Sequence, residues 1–387
     1  MTETADVVII GGGCMGASVA WHLTRCGVAN VVLVEREPTL GAGSTGRNAG
    51  GVRHQFSHEA NVRLSRESIH VIEHFAEQVG AEIEFWQDGY LFLLSASESV
   101  EAFSRHTEMQ RSLGVEVEWL TAGEAAERVP GLRSDGVLAA TFCARDGIAD
   151  PSGVTHGFAG AARAAGAQIR RRTEVTGIEV EAGRVVAVET SAGRIATRTV
   201  VNAAGPWAGR VGALAGVDVP VEPLRRHMFI ASAPDGGWAG SAPDSRIMVI
   251  DFETSFYFHR EGAGLLFGMG DPEERPGFDT TVQWHLLERI TPVALKRLPV
   301  LDDVAIAHAS AGLYEMTPDA MPVIGPVPAV EGFYVIAGFS GHGFQHSPAA
   351  GRILADLIAG RDPQFNLEPF KLERFADGVE GGERNVV

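Results

Sequence analysis

The run Val7-Val8-Ile9-Ile10-Gly11-Gly12-Gly13-Cys14-Met15-Gly16 limits what this chain can fold into more than any other stretch. Four consecutive β-branched residues read as a strand buried on both faces, as in a parallel sheet. The glycines at 11, 13 and 16 fall where a strand must turn at once into a helix, whose body is the run Ala17–Arg25. Gly11 permits the tight turn, Gly13 lets backbone approach a pyrophosphate, and Gly16 lets the helix pack closely on the strand. The free N–H groups of the new helix attract negative charge. A second apolar run, Val31–Val34, closes on Glu35, 19 residues beyond Gly16, where a carboxylate can accept hydrogen bonds from a ribose. Such glycines alone also occur in a purely structural turn. Strand, glycines, helix, second strand and acid together point to a dinucleotide site that begins at residue 7.

With 387 residues the chain has room for two lobes. Its 49 acidic and 32 basic residues give a formal charge of −17, which repels a phosphate backbone or an anionic lipid surface at long range. No nucleic-acid partner is therefore expected. A small anionic substrate stays open, because a pocket can carry local positive charge that the total hides. Cys14, Cys26 and Cys143 are odd in number and share no metal-ligand spacing, so they read as small buried residues and no metal is expected. No stretch approaches about 20 uninterrupted apolar residues, and Met1-Thr2-Glu3-Thr4-Ala5-Asp6 lacks the basic start of a signal peptide. A cytoplasmic protein without membrane insertion is the expectation.

Beyond Glu35 the glycine-rich segment 41–56 has no periodicity and reads as a loop laid against a ligand, although a flexible surface connection shares that composition. Residues 59–79 predict a helix, and 82–86 with 90–94 around Gln87-Asp88-Gly89 suggest a hairpin. A helix over 98–113, a strand over 115–120 and a short helix capped by Thr121 and Glu124 follow. Asp150-Pro151 opens another helix, and strands come at 168–172, 174–181 and 184–190. The strand ending in Asn202-Ala203-Ala204-Gly205 is again a place where backbone meets ligand. Strands recur between 221 and 309, with a helix at 281–289, and a last helix is expected over 348–359. Two excursions thus leave the nucleotide domain and return to it.

Taken in order, the glycine motif with Glu35, Gly43-Ser44 leading to Arg53, Thr317-Pro318-Asp319, Pro322-Val323-Ile324-Gly325 and Gly338-Phe339-Ser340-Gly341-His342-Gly343-Phe344 resemble the D-amino-acid-oxidase-like FAD oxidoreductases. The chain is most similar to the sarcosine oxidase branch, especially the β subunit of the heteromeric enzymes. The resemblance implies an α/β protein with a discontinuous Rossmann-type FAD-binding domain (1–85, 145–220, 310–387). It adds an α+β substrate domain (86–144, 221–309) whose large antiparallel sheet roofs the flavin. It implies FAD contacts at Gly11, Gly13, Gly16, Glu35, Arg36, Ser44, Thr45, Arg47, Asn48, Ala49, Gly50, Val175, Ala204 and Gly205. Further contacts are implied at Gly312, Gly338, Gly341, His342, Gly343, Phe344 and Gln345. Oxidation of a secondary or N-alkylated amino acid of sarcosine-, proline- or iminodiacetate-like form is the implied activity. A D-amino-acid or glycine oxidase is the alternative, and an FAD-holding subunit without turnover is the alternative of another class. The expected electron acceptor is O2 or another redox partner, and a homo- or hetero-oligomer is open.

Four positions are the expected chemistry-bearing ones. Arg53 matches the family's carboxylate-binding arginine, a fork suited to bidentate capture, although a surface ion pair is its ordinary alternative. Tyr257 matches a pocket tyrosine, or else is a core aromatic of the sheet. His342 is expected beside the flavin ring, with a packing role in a glycine turn as the plain alternative. Gln345 stands where relatives carry a lysine. His227 and His259 are weaker candidates. Gly312 occupies the station of the tethering cysteine and Gly46-Arg47 that of a tethering histidine, and no histidine lies within Ala149–Gly153, so non-covalent FAD and no second flavin are expected. Leu266 falls near the oxygen-activating lysine and cannot stabilise superoxide, which favours a dehydrogenase or a slow oxidase.

Overall fold

The computed structural model describes residues 3–233, 238, 243–376, 378 and 381–386, so Met1 and Thr2 of the opening stretch lie outside the described residues. The β-branched run forms the strand Val7–Ile10, every residue of it buried. It lies inside a six-stranded sheet ordered Gln168–Arg170, Val31–Val34, Val7–Ile10, Val200–Asn202, Phe333–Ala337 and Val323–Pro326. The first five strands run parallel and the last pairs antiparallel. These strands come from three separate parts of the chain. The helices Cys14–Arg25, Pro151–Ala164 and Gly343–Ile358 share one apolar cluster on this sheet.

A second sheet of eight strands runs in the order Ala305–Met316, Glu222–Ser232, Gly264–Gly268, Phe256–Glu261, Met248–Asp251, Tyr90–Leu94, Ala139–Cys143, Glu118–Leu120. All neighbours are antiparallel except Met248–Asp251 with Tyr90–Leu94. Alternation sorts its two faces. Phe229, Phe256, Phe258, Leu265, Phe267, Val249 and Leu91 pack with Leu286, Ile290 and Ala294 of the helix Leu286–Arg297. Arg226, Tyr257, Leu266, Gly268 and Tyr90 therefore belong to the opposite face.

Several local expectations change in the fold. The segments around Gly89 are no hairpin: Phe85–Trp86 pairs with Gly147–Ala149, whereas Tyr90–Leu94 enters the eight-stranded sheet. The Gly89 N–H donates to the Asp146 carbonyl at 2.9 Å, so the turn is tied to a third segment. The helix expected over 59–79 breaks at His74, which turns its ring onto the His70 carbonyl. The strand expected over 115–120 is reduced to Glu118–Leu120. The helix expected at 281–289 is instead Leu286–Arg297, because the Thr281 N–H is drawn to the Asp279 carboxylate and the Gln283 N–H to His227 Nε2. The last helix starts at Gly343, five residues before its expected start. Pro348 is tolerated inside it because the Ser347 hydroxyl donates, at 2.8 Å, to the Phe344 carbonyl that the missing N–H would have served.

Candidate active site

A cavity of about 610 Å³ lies between the two sheets. Its walls include Gly11, Gly13, Glu35, Arg36, Ser44, Thr45, Arg47, Asn48 and Val175, together with Ala204, Gly205 and Trp207. Arg226, Gly312, Tyr314, Glu315, Gly341, Gly343 and Phe344 also line it, and the strand that carries Gly312 lies against Ser44 and Arg47. Two helices begin here, Cys14–Arg25 and Gly343–Ile358. Neither has a side-chain cap or an acidic residue in its first turn, so both present positive ends to the cavity.

The cradle explains its glycines. A Cβ on Gly16 would run into the Gly11 carbonyl, and Gly11 itself holds φ +113° against the Ala203 carbonyl. Glu35 accepts the Gly12 N–H at 2.6 Å and the Glu37 N–H at 2.8 Å, which pins its carboxylate beside the turn. Thr45 accepts the Cys14 N–H at 3.2 Å, and burial pushes the Cys14 thiol up to about 11, leaving it neutral. Gly16, Ala49, Gly50, Gly338, His342 and Gln345 do not line the cavity. Gly16 and Gly338 act through packing, the latter against Thr317.

The remaining expected residues are brought together behind the cavity. Arg53 is buried, its guanidinium 3.9 Å from the Phe56 ring centre. It donates to the Gln55 carbonyl, and through Nη2 at 2.5 Å to the Asn385 carbonyl. Its backbone N–H donates to Gln345 Oε1 at 2.5 Å, so Gln345 holds Arg53 in place. The turn after Arg53 is fastened by Asp146, which accepts the His54 N–H at 2.8 Å, His54 Nδ1 at 2.6 Å and Gln55 Nε2 at 3.2 Å. His342 is turned away from the cavity, its ring edge-on to Phe56 and its Nε2 3.2 Å from the Ala320 carbonyl. Burial lowers it to about 4 and the neighbouring His346 further, so both rings are neutral. Tyr257 lies on the cavity-side face of the eight-stranded sheet, opposite Gly268, and burial raises its phenol. Leu266 is buried on that same face. His227 accepts the Gln283 N–H, and His259 directs Nδ1 to the Arg260 carbonyl at 2.8 Å, so both carry structural bonds.

Sequence reasoning missed Tyr314, Glu315, Arg226, Tyr90 and the segment around Glu383–Asn385. Burial raises Tyr314, opposed by Arg226 and then Arg53, and burial raises Glu315 to about 7, opposed by the amides of Gly338 and Phe339. Burial alone would raise Glu383 as well. Arg53, Ser57 and Asn61 more than offset that and hold it below the usual carboxylate range. Tyr314 and Glu315 follow Gly312 by two and three residues, a signal that was readable. Glu383 and Asn385 carried none.

A glycine cradle at the C-terminal edge of a mainly parallel sheet, opening under a mainly antiparallel roof that bears arginine and tyrosine, defines a flavin-dependent oxidoreductase. The chain belongs to the DAO family, FAD dependent oxidoreductase, whose model matches residues 6–357. FAD-dependent oxidoreductase domain-containing protein 1 of Xenopus laevis is 31% identical over 100% of this chain and 85% of its own length. Mitochondrial dimethylglycine dehydrogenase of Rattus norvegicus is 32% identical over 94% of this chain, which spans only 44% of that protein. Among solved structures, L-proline dehydrogenase from P. horikoshii superimposes with a TM-score of 0.90 at 35% identity, covering 98% of this chain and 99% of its own. The cradle fits FAD, since Gly11, Gly13, Gly43, Gly312 and Gly341 leave its walls without side chains and both uncapped helix ends face the cavity. Among the described residues, no helix is long and apolar enough to cross a membrane.

Proposed function

We propose that this chain oxidises the C–N bond of a secondary or N-alkylated amino acid, with FAD held without a covalent link. What supports this reading above all is the end-to-end similarity to an L-proline dehydrogenase. Bound FAD supplies a two-electron acceptor. Gly11, Gly13, Glu35, Ser44 and Thr45 would hold its nucleotide part, and Gly312, Gly341, Gly343 and Phe344 its ring end. Arg53 would take the substrate carboxylate with the N–H groups left over from its two carbonyl bonds. Gln345 keeps Arg53 in register, and Tyr257 with Tyr314 supplies neutral walls that exclude water. Leu266 on the cavity side fits an acceptor other than O2.

A side chain at Gly312 would crowd the Arg47 carbonyl, at 2.8 Å from a Cβ, which supports the absence of a tether at that station. Acid precipitation should therefore release all the flavin, and colour left in the pellet would refute the non-covalent reading. Anaerobic mixing with a panel of N-methyl and cyclic amino acids tests the activity. Flavin bleaching by at least one member is expected. A flavin that stays oxidised with every member would overturn the proposal.

A further inference from the structure

Two neighbouring arginines on the strand Glu222–Ser232 have opposite fates. Arg225 points into the protein and is fully paired, donating to Glu274 at 3.0 and 3.2 Å and to Asp279 at 2.6 Å. Arg226 faces the other way, into the cavity. Its Nε is buried without any partner, and its Nη1 has only a long contact, 3.3 Å, to the adjacent Arg225 carbonyl. No carboxylate pairs with it among the described residues. The guanidinium carbon sits 5.1 Å from the centre of the Tyr314 ring. Across the sheet Arg226 is in register with Gly312, which brings no side chain into the space between them.

Burying part of a guanidinium and leaving Nε–H unsatisfied is costly unless a ligand completes the site. Neither helix N-terminus can do so, because both are positive. Arg53 is a separate cation behind the cavity, already committed to the carbonyls of Gln55 and Asn385. Burial raises the Tyr314 phenol, and Arg226 and then Arg53 oppose that rise, so both cations stand within electrostatic reach of the same ring.

We propose that Arg226 is a specificity-determining anchor for a second acidic group, so that the preferred substrate is a secondary amine carrying two carboxylates. This rests on the amino-acid oxidation reading above and narrows it. A one-carboxylate amine would satisfy Arg53 and leave Arg226 as unpaired as it stands. A dicarboxylate places one charge at each arginine and spans the space beside Tyr314. Arg226 acts through binding, so its removal should change affinity for the second charge and little else.

The test uses flavin-loaded protein and two thioethers that cannot be oxidised as amines: (methylthio)acetate, with one carboxylate, and thiodiacetate, with two. Binding is read from the perturbation of the flavin absorption band. The wild type should bind thiodiacetate roughly tenfold or more tightly than (methylthio)acetate, as a desolvated charge pair allows. R226Q should lose most of that preference while binding (methylthio)acetate almost as before, and R226K should restore part of it. Equal loss for both ligands, no loss for either, or R226Q that purifies without flavin would each overturn the assignment. If (methylthio)acetate binds but thiodiacetate gains nothing, this inference fails and the amino-acid reading stands. If neither ligand perturbs the wild-type flavin, the amino-acid reading fails and takes the inference with it.

Discussion

The cradle and the roof enclose one cavity but are built from different materials. Around Gly11–Gly16 the wall is backbone: what matters is the absence of side chains and the direction of N–H groups, all within ten residues of chain. Around Arg226 and Tyr314 the wall is side chains, delivered by strands far apart in sequence and backed by Tyr257 and by Arg53, which Gln345 and the Asn385 carbonyl steady. A backbone site tolerates almost no change at its glycines. A side-chain site can be altered one residue at a time, which suits it to setting specificity.

The contrast is broken most forcefully at Gly16. Gly16→Val should collide with the Gly11 carbonyl, cost on the order of 4 kcal/mol, and yield protein without flavin. The ratio of flavin to protein absorbance together with a melting curve measures this, and a normal ratio would mean that the turn is not the cofactor cradle.

Arg53→Ala probes the opposite side of the comparison. It should lower kcat/KM by about 2–5 kcal/mol, roughly 30-fold to several-thousand-fold, while flavin content stays normal. Two buried carbonyls also lose their donor, so the melting temperature should fall as well, by the equivalent of about 1–3 kcal/mol. Full activity with flavin still bound would remove the carboxylate role.

The roof is also where pH should act. Burial lowers His259 to about 4, so between that value and about 6.5 the unfolded chain binds a proton that the folded chain refuses. Its contribution is therefore intact above about pH 6.5 and is lost as pH falls towards 4, by up to about 3 kcal/mol. Denaturant titrations at stepped pH should show His259→Gln with a shallower acid slope than the wild type. Identical slopes would place the acid sensitivity elsewhere, for instance at His342.

The smallest effect is expected at Glu35, whose side chain is the one charged hydrogen-bond acceptor of the cradle that the glycine motif itself announces. Glu35→Ala should weaken FAD by about 1.5–3 kcal/mol without preventing folding, as titration of the apoprotein with FAD can measure. A loss as large as that of Gly16→Val would mean that the carboxylate organises the whole turn through the Gly12 and Glu37 amides.

By itself the sequence determined the parts whose physics is local. A strand that must become a helix within a few residues needs glycine at set positions, and the helix caps at Thr121 and Asp150 read the same way before and after folding. The early start of the last helix could not be read, because Pro348 looks like a first-turn residue until Ser347 is seen to supply its missing bond. The same holds for the false hairpin at Gly89, whose partner is Asp146. Only the tertiary structure decided that His342 faces Phe56 instead of the cavity, that Gln345 serves the Arg53 backbone, and that Arg226 is left unpaired while Arg225 is not. Those outcomes depend on which face of a strand meets which neighbour, and register between strands scores of residues apart is set by packing over the whole sheet.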